Sequence, residues 1–314
     1  MNLTISDEQR AIVAAVAKLL ADVGRDDPAK LWQGAVELGW FGLGLPEELG
    51  GAGFGAVEEV LVAKEIGRQA TPGPLVATVL AARVAAYSGA AALAKSFLSG
   101  SAQAALAIPA AGTDVTLVDA GAATHVLVAM PDLVSLYGID ECVGRSSLPS
   151  LDEASSRESA SLAGTPLCSL TEAVDPIFRR GSLLTSAVLV GVAEACRNMS
   201  TDHARTREQF GSPIGAFQSI KHRCADMAVG AAVADAQLVF AALSIEEGRS
   251  DAAEQVAALR VVATRTATWN ARETIQVHGG MGFTWECPAH HFLKRVHALS
   301  GAFGSVRDHQ RALL

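Results

Sequence analysis

Arg207 and the cluster Gly279, Gly280 and Gly282 are the residues of this chain whose types and spacing best fit chemistry with a phosphorylated ligand. Arg207 falls where a long helical pattern ends and the chain turns through Gly211 and Pro213. A guanidinium placed there offers a planar fork of donors matched to a pyrophosphate. A plainer role is also open to it, that of a side chain lying over a helix surface with its head in water. Three glycines in four positions after Val277 exceed what a helix C-cap requires, and they let another backbone or a ligand come close. Other chemistries find little support. No G-x-S-x-G and no phosphate-binding P-loop occurs. The adjacent His290 and His291 point about 100° apart on a helix and do not share a metal ion readily, so they read as surface residues. His222, His278 and His297 have no partner at ligand spacing, and no metal site is expected.

The elements that position these residues read as helices, then a small sheet, then helices. Ser6 or Asp7 can cap a helix over Glu8–Val23, and further helices are expected at Ala29–Leu38, Ala56–Gln69 and Leu75–Tyr87. The glycine-dense loop from Trp40 to Gly53 joins the second and third. Short apolar runs at Ala104–Ile108, Val115–Val118, His125–Val128 and Leu133–Tyr137 read as strands, and the polar tract Asp152–Ser161 as a surface loop. From Leu183 the pattern is helical again: Leu183–Thr206, Ile214–Glu247, Asp251–Val277 and Ala289–Leu299. The expected organisation is an N-terminal helical domain (residues 1–102), a shortened middle β domain (103–175) and a C-terminal helical bundle (176–314).

Composition narrows the class. Half of the 314 residues are hydrophobic, 18% are charged and 5% aromatic, which suits closely packed helices. A net charge of −8 without a basic stripe argues against a nucleic-acid partner. The N-terminus does not have the pattern of a signal peptide. Apolar runs such as Leu183–Ala193 are short of a bilayer span, so no membrane span is expected. Five widely spaced cysteines (Cys142, Cys168, Cys196, Cys224, Cys287) read as reduced, mostly buried thiols, and a cytoplasmic location is expected.

Three segments in order carry a family resemblance. They are Glu37–Trp40 through Pro46–Gly53 with Glu65–Arg68; Arg207–Ile214 with Phe217-Gln218; and Gln276–Phe283. From end to end the chain resembles an acyl-CoA dehydrogenase. The resemblance implies a mainly α fold with a small central β domain and a C-terminal four-helix bundle. It also implies FAD-dependent α,β-dehydrogenation of an acyl-CoA thioester. In that chemistry a carboxylate takes the α-proton, the β-hydrogen leaves as hydride to the flavin, and donors stabilise the enolate-like oxygen. In that family one subunit's bundle contacts FAD held in another's sheet domain. Carried onto this chain, those contacts are Arg207, Phe217, Gln218, Gln276 and Gly280, with Gly279 beside them.

The other half of the site departs from the family pattern. The family's sheet domain carries a T/S-E-P-x-A-G-S-D loop and a W-x-x-N-G-x-K segment over the flavin ring. Here the middle β domain (103–175) has no Trp and no Asn, and Pro109–Asp114 is a remnant of the first motif at best. The family's base falls at Phe303 or Gly304, its alternative position near Arg180-Gly181-Ser182, and neither holds an acid. Asp308 is the one carboxylate of the last twenty residues, while Glu194 and Glu208 read as a helix-surface charge and a turn charge. No catalytic residue is therefore assigned to this chain. The pattern is similar to the heteromeric α2β2 acyl-CoA dehydrogenases of bacterial steroid breakdown, in which one kind of subunit holds the complete site. The expectation is a silent partner of a homologous subunit, sharing its FAD, with an electron-transfer flavoprotein as acceptor. A self-sufficient flavoenzyme with an unorthodox base, or a flavin-free scaffold, are the alternatives.

Overall fold

The structure is a computed structural model and describes residues 5–25 and 27–314. The chain opens with α1 (Asp7–Val23), started by Ser6 in a capping box with Gln9, and α2 (Pro28–Glu37), capped by Asp27 with Pro28 at its first position. The glycine-dense loop follows as two short 3-10 turns, Trp40–Gly42 and Glu47–Leu49. Then come α3 (Ala56–Arg68), α4 (Leu75–Tyr87) and α5 (Ala91–Leu98). Helix α4 is apolar nearly all round, and ten of its residues are buried.

The sheet is larger than the sequence pattern indicates. It has seven strands: β1 (Ala104–Pro109), β2 (Asp114–Val118), β3 (His125–Ala129), β4 (Leu133–Gly138), β5 (Cys142–Leu148), β6 (Arg157–Leu162) and β7 (Cys168–Thr171). Their order is β5-β6-β2-β1-β3-β4-β7, antiparallel except for the β1–β3 pair. The tract expected to be a surface loop, Asp152–Ser161, is corrected here. Arg157–Leu162 is an internal strand between β5 and β2, and Asp152 is fully buried, paired with Arg295 and Arg25. Its Ser, Glu and Arg side chains hide the strand from a hydrophobic-alternation reading, because pairing on both edges rather than an apolar face holds it.

The rest of the chain is helical: α6 (Ile177–Thr206), α7 (Gln218–Glu246), α8 (Ala252–His278), α9 (Ala289–Leu299) and α10 (Val306–Arg311). Between α6 and α7 lies a two-residue hairpin, β8 (Glu208–Gln209) and β9 (Ser212–Pro213). Helix α10, absent from the sequence pattern, starts with a Ser305–Asp308 capping box. Helices α3 and α6 cross at backbone contact through Gly67 and Gly191: a Cβ on Gly67 would lie 1.9 Å from the Val188 carbonyl oxygen, and one on Gly191 2.0 Å from that of Lys64. That approach forms an interior ionic network. Glu194, expected as a helix-surface charge, is buried and pairs with Lys64 at 3.6 Å and Arg68 at 2.5 Å. Periodicity alone placed it outward because α3 is not visible in the α6 sequence. Glu208 is exposed in its turn as expected.

Helix α7 corrects the expectation about apolar length. By length and composition it could cross a membrane, and only 33% of its apolar window is buried. Small residues interleaved with few charges give that outcome without any long uninterrupted apolar run. Its buried residues, Met227, Ala231, Ala234 and Leu238 among them, follow one helical face. The opposite face exposes Val229 and Val233.

Candidate cofactor-contacting site

A ladder of buried polar contacts sets the register of α6, α7 and α8. The Asn270 amide donates to the Ala193 carbonyl at 2.9 Å and to the Met227 carbonyl at 3.2 Å. One turn on, the Ser200 hydroxyl donates to Thr274 at 3.0 Å, and the Thr274 hydroxyl reaches the Cys196 carbonyl. The Asn270 amide and the Ser200 hydroxyl are buried and lose these partners if the helices slip, so the ladder is costly to shift. Contacts that ascend α6 and α8 together mean the two helices run parallel, with α7 antiparallel. Their C-termini therefore emerge at one end, beside the start of α7.

At that end His203 of α6 and His278 of α8 stack with ring centroids 4.1 Å apart and planes 19° apart. The His278 Nδ1–H donates to the Thr274 carbonyl at 2.7 Å, which fixes that ring. Burial lowers the pKa of His203, helped by His278 and Arg207, so the His203 ring rests uncharged at neutral pH. Arg207 caps α6 in an extended conformation, its N–H on the His203 carbonyl at 2.9 Å and its own carbonyl accepting from Ile214 at 2.8 Å. Its guanidinium is exposed and makes no ion pair or hydrogen bond with the described residues. Phe210 and Gly211 take the left-handed turn of the β8–β9 hairpin at φ 53° and 80°. Phe217 is the N-cap residue of α7, edge-on to Phe210 at 6.1 Å, and Gln218 contacts His222 at 2.8 Å.

On the α8 side, Gln276 is exposed and Gly279 turns the chain at φ 63° into a 3-10 turn, Gly279–Phe283. A Cβ built on Gly279 or Gly280 meets nothing within 4 Å. All six sequence-derived contact residues thus lie exposed at the ends of these three helices, and Arg207 and Gly279 are joined through the stacked histidines. Phe210, 94% exposed, Phe283 and Trp285 extend an uncovered aromatic surface around them. Exposed donors, an unpaired cation and bare glycine backbone can hold an anionic cofactor presented from outside the chain.

A second feature is a cavity of about 790 Å³ between the sheet, the starts of α6 and α8, and residues 301–312. Leu106, Ile108, Met130, Phe178, Val256 and Phe303 give it a mostly apolar wall. Ser182, Phe303 and Gly304 all line it, so both base positions carried over from the family face one space. Phe303 is buried there at φ 53°, its ring edge-on to Phe178 at 6.0 Å and against Gly181. Arg180 is turned away into ion pairs with Glu59 and Asp175.

Two carboxylates line the cavity, and neither is a free base. Glu172 is taken up by Arg179. Asp308 accepts from the Ser305 hydroxyl and backbone, which lowers its pKa. His309 also lines the wall. Burial lowers its pKa, and its Nε2–H donates to the Phe303 carbonyl at 2.9 Å. The sequence pattern points to neither Glu172 nor His309. The available signals are the acid seven residues before Arg179 and the Ser305–Asp308 capping box that starts the short helix carrying His309. The pair expected at the surface, His290 and His291, is instead buried and half-buried beside Trp285. Among the described residues no group of three His, Cys, Asp or Glu is placed to hold a metal ion.

Comparisons with known proteins agree with this architecture. Residues 4–105 match the acyl-CoA dehydrogenase N-terminal domain and residues 173–309 its C-terminal domain. Acyl-CoA dehydrogenase IpdE2 of Mycobacterium tuberculosis is 33% identical over 307 residues, spanning 96% of this chain and 90% of that protein. Its namesake in Mycolicibacterium smegmatis is 29% identical over 309 residues, 98% of this chain and 93% of that one. Among solved structures, a chain of the ChsE4-ChsE5 complex from M. tuberculosis superposes with a TM-score of 0.85 at 24% identity, covering 100% of this chain and 98% of its own. A chain of the Tcur3481-Tcur3483 steroid ACAD gives 0.82 at 22%, covering 99% and 97%.

Proposed function

The chain belongs to the acyl-CoA dehydrogenase family, and from that premise we propose that it is the non-catalytic subunit of a heteromeric enzyme. It completes the FAD site of an unlike, homologous partner in an α2β2 assembly. FAD, when bound, supplies the hydride acceptor for oxidation of a CH–CH bond. In this chain Arg207 pairs with the pyrophosphate, Gln218 and Gln276 donate polar contacts, Phe217 packs on the cofactor, and the Gly279–Gly280 backbone allows its close approach. The partner supplies the ring-binding sheet and the base. The observation that carries this reading is the contrast between the two ends of the molecule. Six contact residues lie exposed; the Arg207 guanidinium has no partner among the described residues, and a Cβ on Gly279 or Gly280 meets nothing within 4 Å. The base position, by contrast, is a buried Phe303 and both cavity carboxylates are engaged.

A steroid-derived acyl-CoA as substrate and an electron-transfer flavoprotein as acceptor are part of the proposal. The first is supported by the name of the steroid ACAD among the similar structures, the second by the electron transferring flavoprotein of Acidaminococcus fermentans among them. A cytoplasmic location suits reduced thiols: Cys142, Cys196 and Cys287 are buried and all five cysteines are free. The test is co-expression with the homologous chain and a count of FAD per polypeptide. One FAD per two chains, with none on this chain alone, is the expected result. Flavin and turnover in this chain purified alone refute it. Within the complex, Arg207→Ala lowers FAD occupancy by about 1–3 kcal/mol of binding energy.

A further inference from the structure

The cofactor-contacting turns stand at an end of the bundle that does not by itself favour an anion. Helices α6 and α8 both finish there, so their last carbonyls and the negative poles of two helix dipoles share one place. Helix α7 begins there and offers the opposite pole, with Phe217 as an N-cap that makes no side-chain hydrogen bond. Such helix ends favour cations, and the last turns of α6 and α8 carry His203, Arg205 and His278. Arg205 is drawn to Asp202 at 3.8 Å. His203 lies one helical turn before Arg207 and stacks on His278, whose own ring is fixed by its bond to the Thr274 carbonyl. The His203 ring nitrogens make no hydrogen bond with the described residues.

We propose that His203 is a second cation of this site, charged only when it is needed: an anionic pyrophosphate diester resting on Arg207 draws a proton from water onto the His203 imidazole, so that cofactor binding takes up one proton. Without the anion, burial holds the ring neutral, and His278 and Arg207 oppose its charging. The anion offsets the Arg207 charge and adds its own attraction, which favours the imidazolium. The chain's own carboxylates do not supply that attraction. Asp202 is taken by Arg205 and Glu273 by Arg223, while Glu208, Lys221, His222, Asp226, Arg272 and Glu286 are exposed to water. The groups that act on the His203 ring are His278 and Arg207, and no carboxylate is among them. The occupied site therefore holds a proton more tightly than the empty one, and by reciprocity the anion binds more tightly as pH falls. The proposal rests on the cofactor reading above and adds the proton to it.

The experiment follows FAD retention by the mixed complex, by dialysis, between about pH 8 and 6. Relative to His203→Phe, which keeps a ring on His278 and cannot take a proton, wild type tightens about three- to tenfold as the pH falls. The diester phosphates of FAD do not titrate in that range, and circular dichroism at each pH verifies the fold. A second measurement needs no variant that folds and no flavin: NMR titration of His203 in the full chain alone. Its midpoint rises by about half a pH unit or more when sulfate replaces chloride at constant ionic strength. Three results overturn the proposal: the same pH slope in wild type and His203→Phe, looser retention by wild type at low pH, or a His203 midpoint that sulfate does not move. Arg207→Ala that retains FAD as wild type does sinks the cofactor reading itself. A normal loss in Arg207→Ala with equal pH slopes sinks this proposal alone.

Discussion

Gly280→Ala separates a folding role from a cofactor role at the turn after α8. The Cβ of an alanine there meets no atom of this chain within 4 Å, and Gly280 is not among the residues with positive φ. The substitution therefore leaves folding stability within about 0.5 kcal/mol of wild type, as for an open surface site. A ligand resting on the bare backbone is affected quite differently. A methyl group intruding into a filled contact costs about 1–3 kcal/mol, about a 5- to 150-fold loss of affinity. The assay is flavin retention by the assembled complex, read by absorbance after gel filtration at falling concentration, beside urea denaturation of the isolated chain. Unchanged stability with weakened flavin retention is the expected pair of outcomes. Flavin retention equal to wild type refutes the placement of the cofactor against this turn. Loss of stability refutes the claim that the turn serves something outside the chain.

The other glycine contrast is Gly191→Ala, where the new Cβ lies 2.0 Å from the Lys64 carbonyl oxygen and 2.9 Å from the Arg68 nitrogen. Two helices must part, so urea denaturation shows a loss of about 3 kcal/mol or more, at the upper end for overpacking. Glu172→Gln and Asp308→Asn in the mixed complex leave kcat within about twofold of wild type, because neither carboxylate is a free base; a loss of about 100-fold or more places the base in this chain. Acid weakens the fold through its buried neutral histidines. His203, His290, His291 and His309 all have pKa values lowered from 6.5 by burial, so the unfolded chain takes up protons first. Stability is complete above that value and falls as pH drops below it, and denaturation midpoints between pH 7.5 and 5 show a shallower decline in His309→Gln.

Elements held by local signals were legible in the sequence. Leu75–Tyr87 and Ala289–Leu299 have the expected bounds, and Ser6 caps α1 as read. Arg207 does end α6, and Gly279 does break α8, because caps and left-handed turns leave residue-level marks. What needed a partner element did not show. Strands β5, β6 and β7 owe their places to pairing. Glu194 is buried because α3 crosses α6, and the identity of that crossing lies in Gly67 as much as in Gly191. Glu172 and His309 reach one cavity only when the sheet and the C-terminal segment close on the start of α6. The turns at the bundle end were readable for the opposite reason: Arg207 and Gly279 sit at helix termini that the sequence marks.

Arg260 bears on what the turn at Phe303 and Gly304 does for the fold. Its side chain is fully buried, has no carboxylate partner among the described residues, and donates from Nη2 to the carbonyls of Leu299 at 2.8 Å and Ala302 at 3.0 Å. Burial pushes its pKa from 12.5 down to about 10, a cost of about 3 kcal/mol. A loop that only had to close the chain could satisfy two carbonyls with water at far less cost. Here the turn must hold Phe303 and Gly304 in left-handed conformations, φ 53° and 94°, and the first is strained for an aromatic residue. The guanidinium fixes the carbonyls leading into that turn, and so presses the Phe303 ring onto Phe178 and Gly181 where α6 begins. The turn is therefore part of the packing that sets the start of α6, thirty residues before Arg207 caps its far end. A carboxylate can be lost from the turn without loss of the turn. Losing the turn would loosen the start of the helix that Arg207 caps.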